Sequence, residues 1–422
     1  MATAQLYKTA DGHHHLLVDG EQYFIKGAGL EFGPMRQLAA CGGNTFRTWR
    51  VSNGAQSAEA ILDEAQALGL KVCMGLDLAR ERHGFDYADA DAVRTQHLAM
   101  LEDVERLKTH PALLMWGLGN ELNLRSSNPR VWDAVEALCR DIKATDHQHL
   151  VTTMLAGIDA KTVANIVERA PSLDFLSFQI YGEIDQLPSV LRTARYDGPY
   201  QITEWGPTGH WESPETDWGR PIEATSREKA RDISRRYHQI ILADAANCLG
   251  AYIFLWGQKQ ERTPTWYGLF LEDGRRTDAV DVLQHAWTGQ WPARRAPGIE
   301  ALTLNGLCAA DSVTVNAQVA MAAEVVLSHP EEDLKFSWVV REEVDRASES
   351  DGGDFEPTPA TVVAGSGAQT RRFAFTAPPP GEYRLYCQVD NRADASAVAN
   401  IPFLVSQSNL QSMSKKKQVH AV

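Results

Sequence analysis

Two glutamates are the residues of this sequence best placed to do chemistry, because each follows a strand-like apolar run. Glu121 ends MWGLGNE (115–121), directly after Asn120, and Glu204 lies within QITEWG (201–206). A carboxylate at the end of a buried strand is costly unless it is solvated, paired or used. Two carboxyl groups that meet can act as a general acid and a nucleophile on the two sides of a glycosidic bond.

The elements that must position these glutamates alternate between short strands and helices. Segments 90–108 and 226–246 have the apolar periodicity of amphipathic helices. The strand-like runs are 23–27, 44–49, 71–78, 113–121, 149–155, 173–181, 199–205 and 249–256. Repeated strand–helix alternation predicts a (β/α)8 barrel, which we place at 21–292, after an N-terminal β-hairpin segment at 1–20.

The composition changes after the predicted barrel. ARRAPG (293–298) predicts a linker, and the segments SVTVNAQV and GEYRLYCQV within 299–406 alternate apolar and polar residues. This alternation is typical of sandwich strands. The predicted fold class is therefore α/β, a TIM barrel followed by a smaller all-β Ig-like sandwich domain. The polar segment 407–422 is expected to be disordered.

Charge and motif content exclude several classes of function. The formal net charge is −14, whereas nucleic acid binding needs clustered Lys and Arg, so no nucleic acid partner is expected. No apolar run approaches the ~20 residues of a membrane span. A Gly-rich phosphate loop, an HExxH motif and a nucleophile elbow are all missing from the sequence, so we expect neither a metal nor an organic cofactor.

The sequence leaves the localisation and the oligomeric state open. The N-terminal segment contains no apolar signal sequence, which is typical of a cytoplasmic chain. A periplasmic or secreted chain whose signal has been removed would have the same N-terminal sequence.

In a TIM barrel, the residues at the C-terminal ends of the strands share the active-site face. The polar and aromatic residues that fall at those ends are Arg47, Asp77, Asn120, Glu121, Tyr181, Glu204 and Trp256. Paired carboxyl groups beside aromatic surface are the equipment of glycoside hydrolysis. The expected partner is therefore an oligosaccharide or polysaccharide.

Four stretches resemble the clan A retaining glycoside hydrolases, nearest to the barrels of families 2 and 5. They are FIKGAG, NTFRTW, HPALLMWGLGNE and ITEWG, and the resemblance covers about residues 20–290. It implies that Glu121 is the general acid/base, Glu204 the nucleophile and Arg47 the active-site arginine. Family 2 enzymes carry β-sandwich domains before the barrel, whereas here the extra domain follows it, so the substrate stays open.

The two glutamates need different protonation states for this chemistry. Two nearby negative charges raise one pKa, whereas an arginine beside one carboxylate lowers its pKa. Arg47 would therefore keep Glu204 ionised and leave Glu121 to hold the proton.

The remaining residues at the strand ends are predicted to bind the substrate. Asn120 is expected to bond a sugar 2-hydroxyl, and Tyr181 to bond the nucleophile. Asp77 is expected to bond a substrate hydroxyl, and Trp256 to stack on a sugar ring. The structural alternatives are a helix cap for Asn120, an ion pair for Asp77, and packing in the core for Tyr181 and Trp256.

Two long loops add aromatic residues near the same face. Segments 206–225 and 257–276 are longer than most connections between strands and helices, and long loops are often functional. They carry Trp211 and Trp266. We predict that at least one of these side chains lines the mouth as a sugar subsite, and the alternative is that they pin the loops to the barrel rim.

The sequence thus predicts a retaining β-glycosidase that acts on a β-linked glucan or a related oligo- or polysaccharide. A β-glucan transglycosylase with the same catalytic pair and a non-catalytic glycan-binding barrel are the alternatives. Every predicted site residue precedes Trp291, so the C-terminal domain is not expected to contribute to catalysis.

Overall fold

The computed structural model describes residues 3–329, 333–350, 353–368 and 370–407. The chain begins with an antiparallel sheet of β1 (Ala4–Lys8), β2 (His14–Val18) and β3 (Glu21–Tyr23). Between the last two strands, Asp19 and Gly20 have φ angles of 54° and 87°. Positive φ at both positions is the type I′ geometry that an Asp-Gly pair favours.

The predicted eight-stranded barrel is confirmed. Its strands are β4 (Ile25–Gly29), β5 (Thr45–Arg47), β6 (Lys71–Leu76), β7 (Leu113–Leu118), β8 (Leu150–Ala156), β9 (Phe175–Gln179), β10 (Tyr200–Trp205) and β11 (Cys248–Ile253). Adjacent strands are parallel and follow chain order, and β11 closes the barrel on β4. All eight strands therefore direct their C-terminal ends to one face.

Helices surround the barrel and pack their apolar faces against it. They are α1 (Met35–Ala40), α2 (Ala58–Ala67), α3 (Ala90–Leu107), α4 (Arg130–Thr145), α5 (Ala160–Arg169), α6 (Leu187–Ala194), α7 (Ser226–Arg236) and α8 (Asp278–Thr288). The start of α7 is fixed by a capping box, in which Thr225 and Glu228 each bond the other's backbone N–H. The predicted helix at 226–246 continues past α7 as a π turn at Tyr237–Ile241.

The C-terminal region consists of two sheets. Its strands are β12 (Ile299–Leu304), β13 (Thr314–Asn316), β14 (Ala320–Leu327), β15 (Lys335–Glu342), β16 (Thr361–Ala368), β17 (Arg372–Thr376), β18 (Gly381–Asp390) and β19 (Ser396–Ser406). One sheet has the order β12-β14-β17 and the other β13-β19-β18-β15-β16. Both sheets contribute to one apolar cluster that contains Trp338. The assignment of this region as Ig-like stays a prediction, as do the predicted domain boundaries, and the predicted tail lies almost wholly outside the described residues.

Buried polar bonds join the C-terminal sheets to the barrel. Glu223 and Lys229 form a buried ion pair, and Asn400 Nδ2 donates to Glu223 Oε2 at 2.6 Å. Arg384 Nη2 donates to the carbonyl of Pro221 at 2.9 Å. Because a buried polar group is costly without its partner, these bonds fix how the two parts meet.

Candidate active site

The C-terminal ends of the barrel strands open into a cavity of about 1250 Å3. The predicted residues that line it are Asp77, Asn120, Glu121, Tyr181, Glu204, Trp211 and Trp256. Arg47, fully buried, donates to two of these residues. The structure thus brings both glutamates to a single cavity, together with most of the residues predicted around them.

Glu204 lies at the end of β10 and accepts four hydrogen bonds. Arg47 Nη1, Trp49 Nε1 and Gln179 Nε2 donate to Oε1 at 3.2, 3.1 and 3.0 Å. The Tyr181 hydroxyl donates to Oε2 at 2.8 Å. Burial raises the pKa of Glu204 above its ordinary value, whereas Arg47 and the hydrogen bonds from Tyr181 and Trp49 oppose that rise. Bonds of this kind stabilise the ionised carboxylate.

Glu121 has a different environment. Its backbone φ is 53°, which costs energy for a residue with a side chain, and its N–H donates to the carbonyl of Met154 at 3.0 Å. The nearest cationic atom, Arg82 Nη2, lies 3.6 Å from Oε2, beyond ordinary hydrogen-bond distance. Burial, and secondarily the charge of Glu204, raises the pKa of Glu121 to about 7, although Arg82 opposes that rise. The carboxyl group of Glu121 is therefore suited to hold a proton.

Asn120 connects the residues around the nucleophile candidate. Its Oδ1 accepts hydrogen bonds from Arg47 Nη2 at 2.8 Å and from Gln179 Nε2 at 2.7 Å. With the amide oxygen occupied twice, the amide NH2 is the group of Asn120 that is left to donate to a ligand.

Trp49 and Gln179 also belong to the site, although neither was assigned a role from the sequence. Trp49 lies two residues after Arg47, so strand alternation could have placed both side chains on one face. Gln179 is the last residue of β9, at the barrel end where polar side chains gather. Position at a strand end was therefore a usable signal for both residues.

Asp77 lies at the rim of the cavity and already has a charged partner. Its Oδ1 is 3.1 Å from Arg80 Nη2, and its side chain is 40% exposed. Arg80 Nε also donates to the carbonyl of Asn120 at 3.0 Å. Asp77 thus forms the ion pair that was the structural alternative for it, and its bond to a substrate hydroxyl stays a proposal.

The predicted stacking role of Trp256 is contradicted by its burial. Although the residue lies at the cavity wall, its side chain has no exposed surface. The indole stacks on Trp287 of α8 at a centroid distance of 6.1 Å, and Nε1 donates to the carbonyl of Pro34 at 3.1 Å. Beyond β11 the chain directs this ring into the packing between barrel and helices, so no ring face is left for a sugar.

The two loop tryptophans have opposite environments. Trp266 is 1% exposed, and its Nε1 donates to the carbonyl of Thr208 at 3.0 Å, as expected for a residue that pins a loop. Trp211 is 59% exposed, lines the cavity and contacts the Tyr181 ring edge-on. Of the two, Trp211 is the candidate for a sugar subsite.

The C-terminal region contributes residues to the wall of the same cavity, although neither of the two glutamates belongs to it. Gly353, Asp354 and Phe355 form part of its lining. His83 Nε2 lies 3.0 Å from the Asp354 carboxylate. The residues that make these contacts are far apart in sequence, so no local sequence pattern indicated them.

Within the described ranges, the structure contains no group of three or more His, Cys, Asp or Glu side chains that could hold a metal ion. Among the helices of those same ranges, none combines the length and the apolar character needed to span a membrane.

Comparisons with known proteins find a family model and several solved structures that are similar to this chain. Residues 59–208 match the family described as "Glycosyl hydrolases family 2, TIM barrel domain". A Bacteroides uniformis β-glucuronidase 2 structure matches with 15% identity and a TM-score of 0.52, over 96% of this chain and 48% of that one. A Bifidobacterium dentium β-glucuronidase matches with 17% identity and a TM-score of 0.53, over 70% of this chain and 50% of that one. A search of curated proteins gave no match. This chain spans about half the length of the two glucuronidases.

Proposed function

Because the barrel of this chain is like those of clan A glycoside hydrolase family 2, we propose that the chain is a retaining β-glycosidase. Its substrate is a neutral β-linked glucan or a related oligosaccharide. Glu204 is the nucleophile, and Glu121 is the general acid and base. No cofactor takes part in this mechanism.

The observation that carries the proposal is the unequal environment of the two glutamates. Glu204 accepts four hydrogen bonds, one of them from the Arg47 guanidinium. The Glu121 side chain is only 12% exposed, and its nearest cationic atom is 3.6 Å away. Paired carboxyl groups whose environments separate their pKa values can divide the roles of base and acid between them.

The mechanism follows from this division. Glu204 attacks the anomeric carbon while Glu121 protonates the departing glycosidic oxygen, and a covalent glycosyl-enzyme results. Glu121, now ionised, removes a proton from water, which attacks the anomeric carbon and releases Glu204. Two inversions give overall retention, a route that requires carboxyl groups about 5–5.5 Å apart. Arg47 and Tyr181 hold Glu204 in place for the attack, and the Asn120 amide is available to the sugar 2-hydroxyl.

The charges around the cavity favour a neutral sugar over a uronate. The described lining contains nine Asp and Glu residues but four Arg and Lys residues. Three of these cations already have a carboxylate partner: Arg50 with Glu31, Arg80 with Asp77, and Lys259 with Glu261. A substrate carboxylate would therefore enter an acidic site, where an unpaired buried charge is costly. The two similar structures named above are β-glucuronidases, whereas the charges around this cavity favour a neutral sugar.

A panel of p-nitrophenyl β-glycosides tests the proposal. We expect kcat/KM to be at least about tenfold higher for the β-glucoside than for the β-glucuronide, because the glucuronide carboxylate would enter a cavity lined by more carboxylates than cations. Glu204→Ala should abolish turnover of the active substrate, and added azide should restore part of it by taking the place of the nucleophile. Glu102→Ala, on the exposed face of α3, is the matched control. Full activity of Glu204→Ala would refute the assignment.

A further inference from the structure

Exposed aromatic side chains are concentrated around the cavity. In the part of the chain that the structure describes, those that are largely exposed are Tyr7, Phe32, Trp211, Trp291 and Phe355. Phe32, Trp211 and Phe355 line the cavity. Exposed apolar surface that gathers at one place marks a binding site more often than scattered single residues do.

Phe355 is the most exposed of these residues, at 87%. It belongs to the connection between β15 and β16, and thus to the C-terminal region and not to the barrel. Leaving a phenyl ring in water forgoes the stabilisation that burial would give. The position of this ring at the cavity mouth is therefore unfavourable for the free protein unless a ligand covers it.

Polar bonds join the residues on both sides of this ring to the barrel. On one side, Lys259 Nζ donates to the carbonyl of Gly353 at 2.6 Å, and Asp354 pairs with His83 at 3.0 Å. On the other side, the buried carboxylate of Glu356 pairs with Arg262. Lys259 and Arg262 follow β11, whereas His83 follows β6, so the connection is attached to two separate parts of the barrel rim. The residues on both sides of the ring are therefore bonded to the barrel rim.

We propose that Phe355 is a stacking platform for a sugar ring of an oligosaccharide whose neighbouring unit lies at the two glutamates. The C–H face of a pyranose packs against an aromatic face, and such contact is independent of charge. The C-terminal region thus selects for chain length, although it holds none of the reacting groups. This inference rests on the proposed glycosidase function.

The test compares long and short substrates on one set of variants. The substrates are p-nitrophenyl β-glucoside and β-linked gluco-oligosaccharides of two to six units. Phe355→Ala should raise KM for the longest accepted oligosaccharides about fivefold relative to KM for the aryl glucoside. An effect of this size is expected from the loss of one aromatic contact. Phe355→Trp should restore the affinity because it keeps a stacking face. Tyr7→Ala removes an exposed aromatic from β1, outside the cavity, and serves as the control.

The outcomes separate this inference from the proposed function. A larger increase in KM for long oligosaccharides than for the aryl glucoside, reversed by Phe355→Trp, supports the platform. If Phe355→Ala raised KM equally for both substrate classes, or left KM unchanged in an active enzyme, the platform would be overturned and the glycosidase assignment would stay intact. If the wild-type protein turns over neither substrate class and binds no oligosaccharide in calorimetry, the proposed function fails and the platform with it.

Discussion

The guanidinium of Arg82 and the carboxylate of Glu121 face each other across 3.6 Å without forming a hydrogen bond. The charge of Arg82 nevertheless lowers the pKa of Glu121, against the larger opposing effects of burial and Glu204. A second guanidinium nitrogen of Arg82 donates to the Glu121 carbonyl at 2.9 Å. Arg82 is therefore a positioning residue for the proposed acid and also moderates its pKa.

Replacing Arg82 with glutamine should move the alkaline limb of the kcat/KM profile to higher pH. Removing a positive charge favours the protonated carboxyl, so Glu121 would keep its proton over a wider range. The measurement is kcat/KM against pH for a substrate with a poor leaving group, which needs that proton. Arg36→Gln, an exposed change on α1, is the control. An alkaline limb that stays in place or moves to lower pH would show that Arg82 does not act on Glu121.

Glu121→Gln should stabilise the protein more at pH 8 than at pH 5. The folded-state pKa of about 7 exceeds the ordinary value of 4.5, so the folded state binds the proton more tightly than the unfolded state does. The stability of the wild type therefore falls as the pH rises through this window, and the cost is complete above pH 7. At about 1.4 kcal/mol per pKa unit, the gain at pH 8 is at most about 3 kcal/mol.

Thermal denaturation of both proteins at the two pH values provides the measurement. The exposed change Glu102→Gln should give the same difference in melting temperature from the wild type at both pH values. If Glu121→Gln behaved in that way as well, the carboxyl of Glu121 would not have a raised pKa.

Trp211→Ala and Trp266→Ala should have opposite consequences. Trp211 is exposed at the cavity, so its loss should raise KM for oligosaccharides severalfold while the melting temperature changes little. Trp266 is buried and bonded to Thr208, so its loss should cost about 3–5 kcal/mol of stability. Steady-state kinetics and calorimetry on both variants measure the contrast. A lower melting temperature for Trp211→Ala without a kinetic change would make that residue a packing residue.

The barrel and the centre of its site were predictable because both depend on local pattern. Strand–helix alternation determines the fold class, and parallel strands bring their final residues to one face. Arg47, Asn120 and Glu204 each lie at the end of such a strand, and in the structure the Arg47 guanidinium donates to both of the others. Gln179 and Trp49 also lie at or just beyond strand ends, but position alone does not separate a site residue from a structural one.

The environments of Trp256 and Phe355 were not predictable in this way. Strand alternation stops at Ile253, so nothing local indicated that Trp256 turns away from the cavity to pack on Trp287. Phe355 reaches the cavity through the packing of the C-terminal sheets on the barrel, a tertiary contact between distant parts of the sequence. Both results depend on packing, which composition and periodicity do not encode.

The central claim is that Glu204 forms a covalent bond to the sugar. Incubation with a 2-deoxy-2-fluoro β-glucoside that has an activated leaving group should trap this intermediate, because the fluorine slows both its formation and its hydrolysis, whereas the activated leaving group speeds only its formation. Peptide mass spectrometry should then find the fluoroglucosyl group on Glu204 and find none in Glu204→Gln. A label on Glu121, or a first product of inverted anomeric configuration in an NMR time course, would contradict the account.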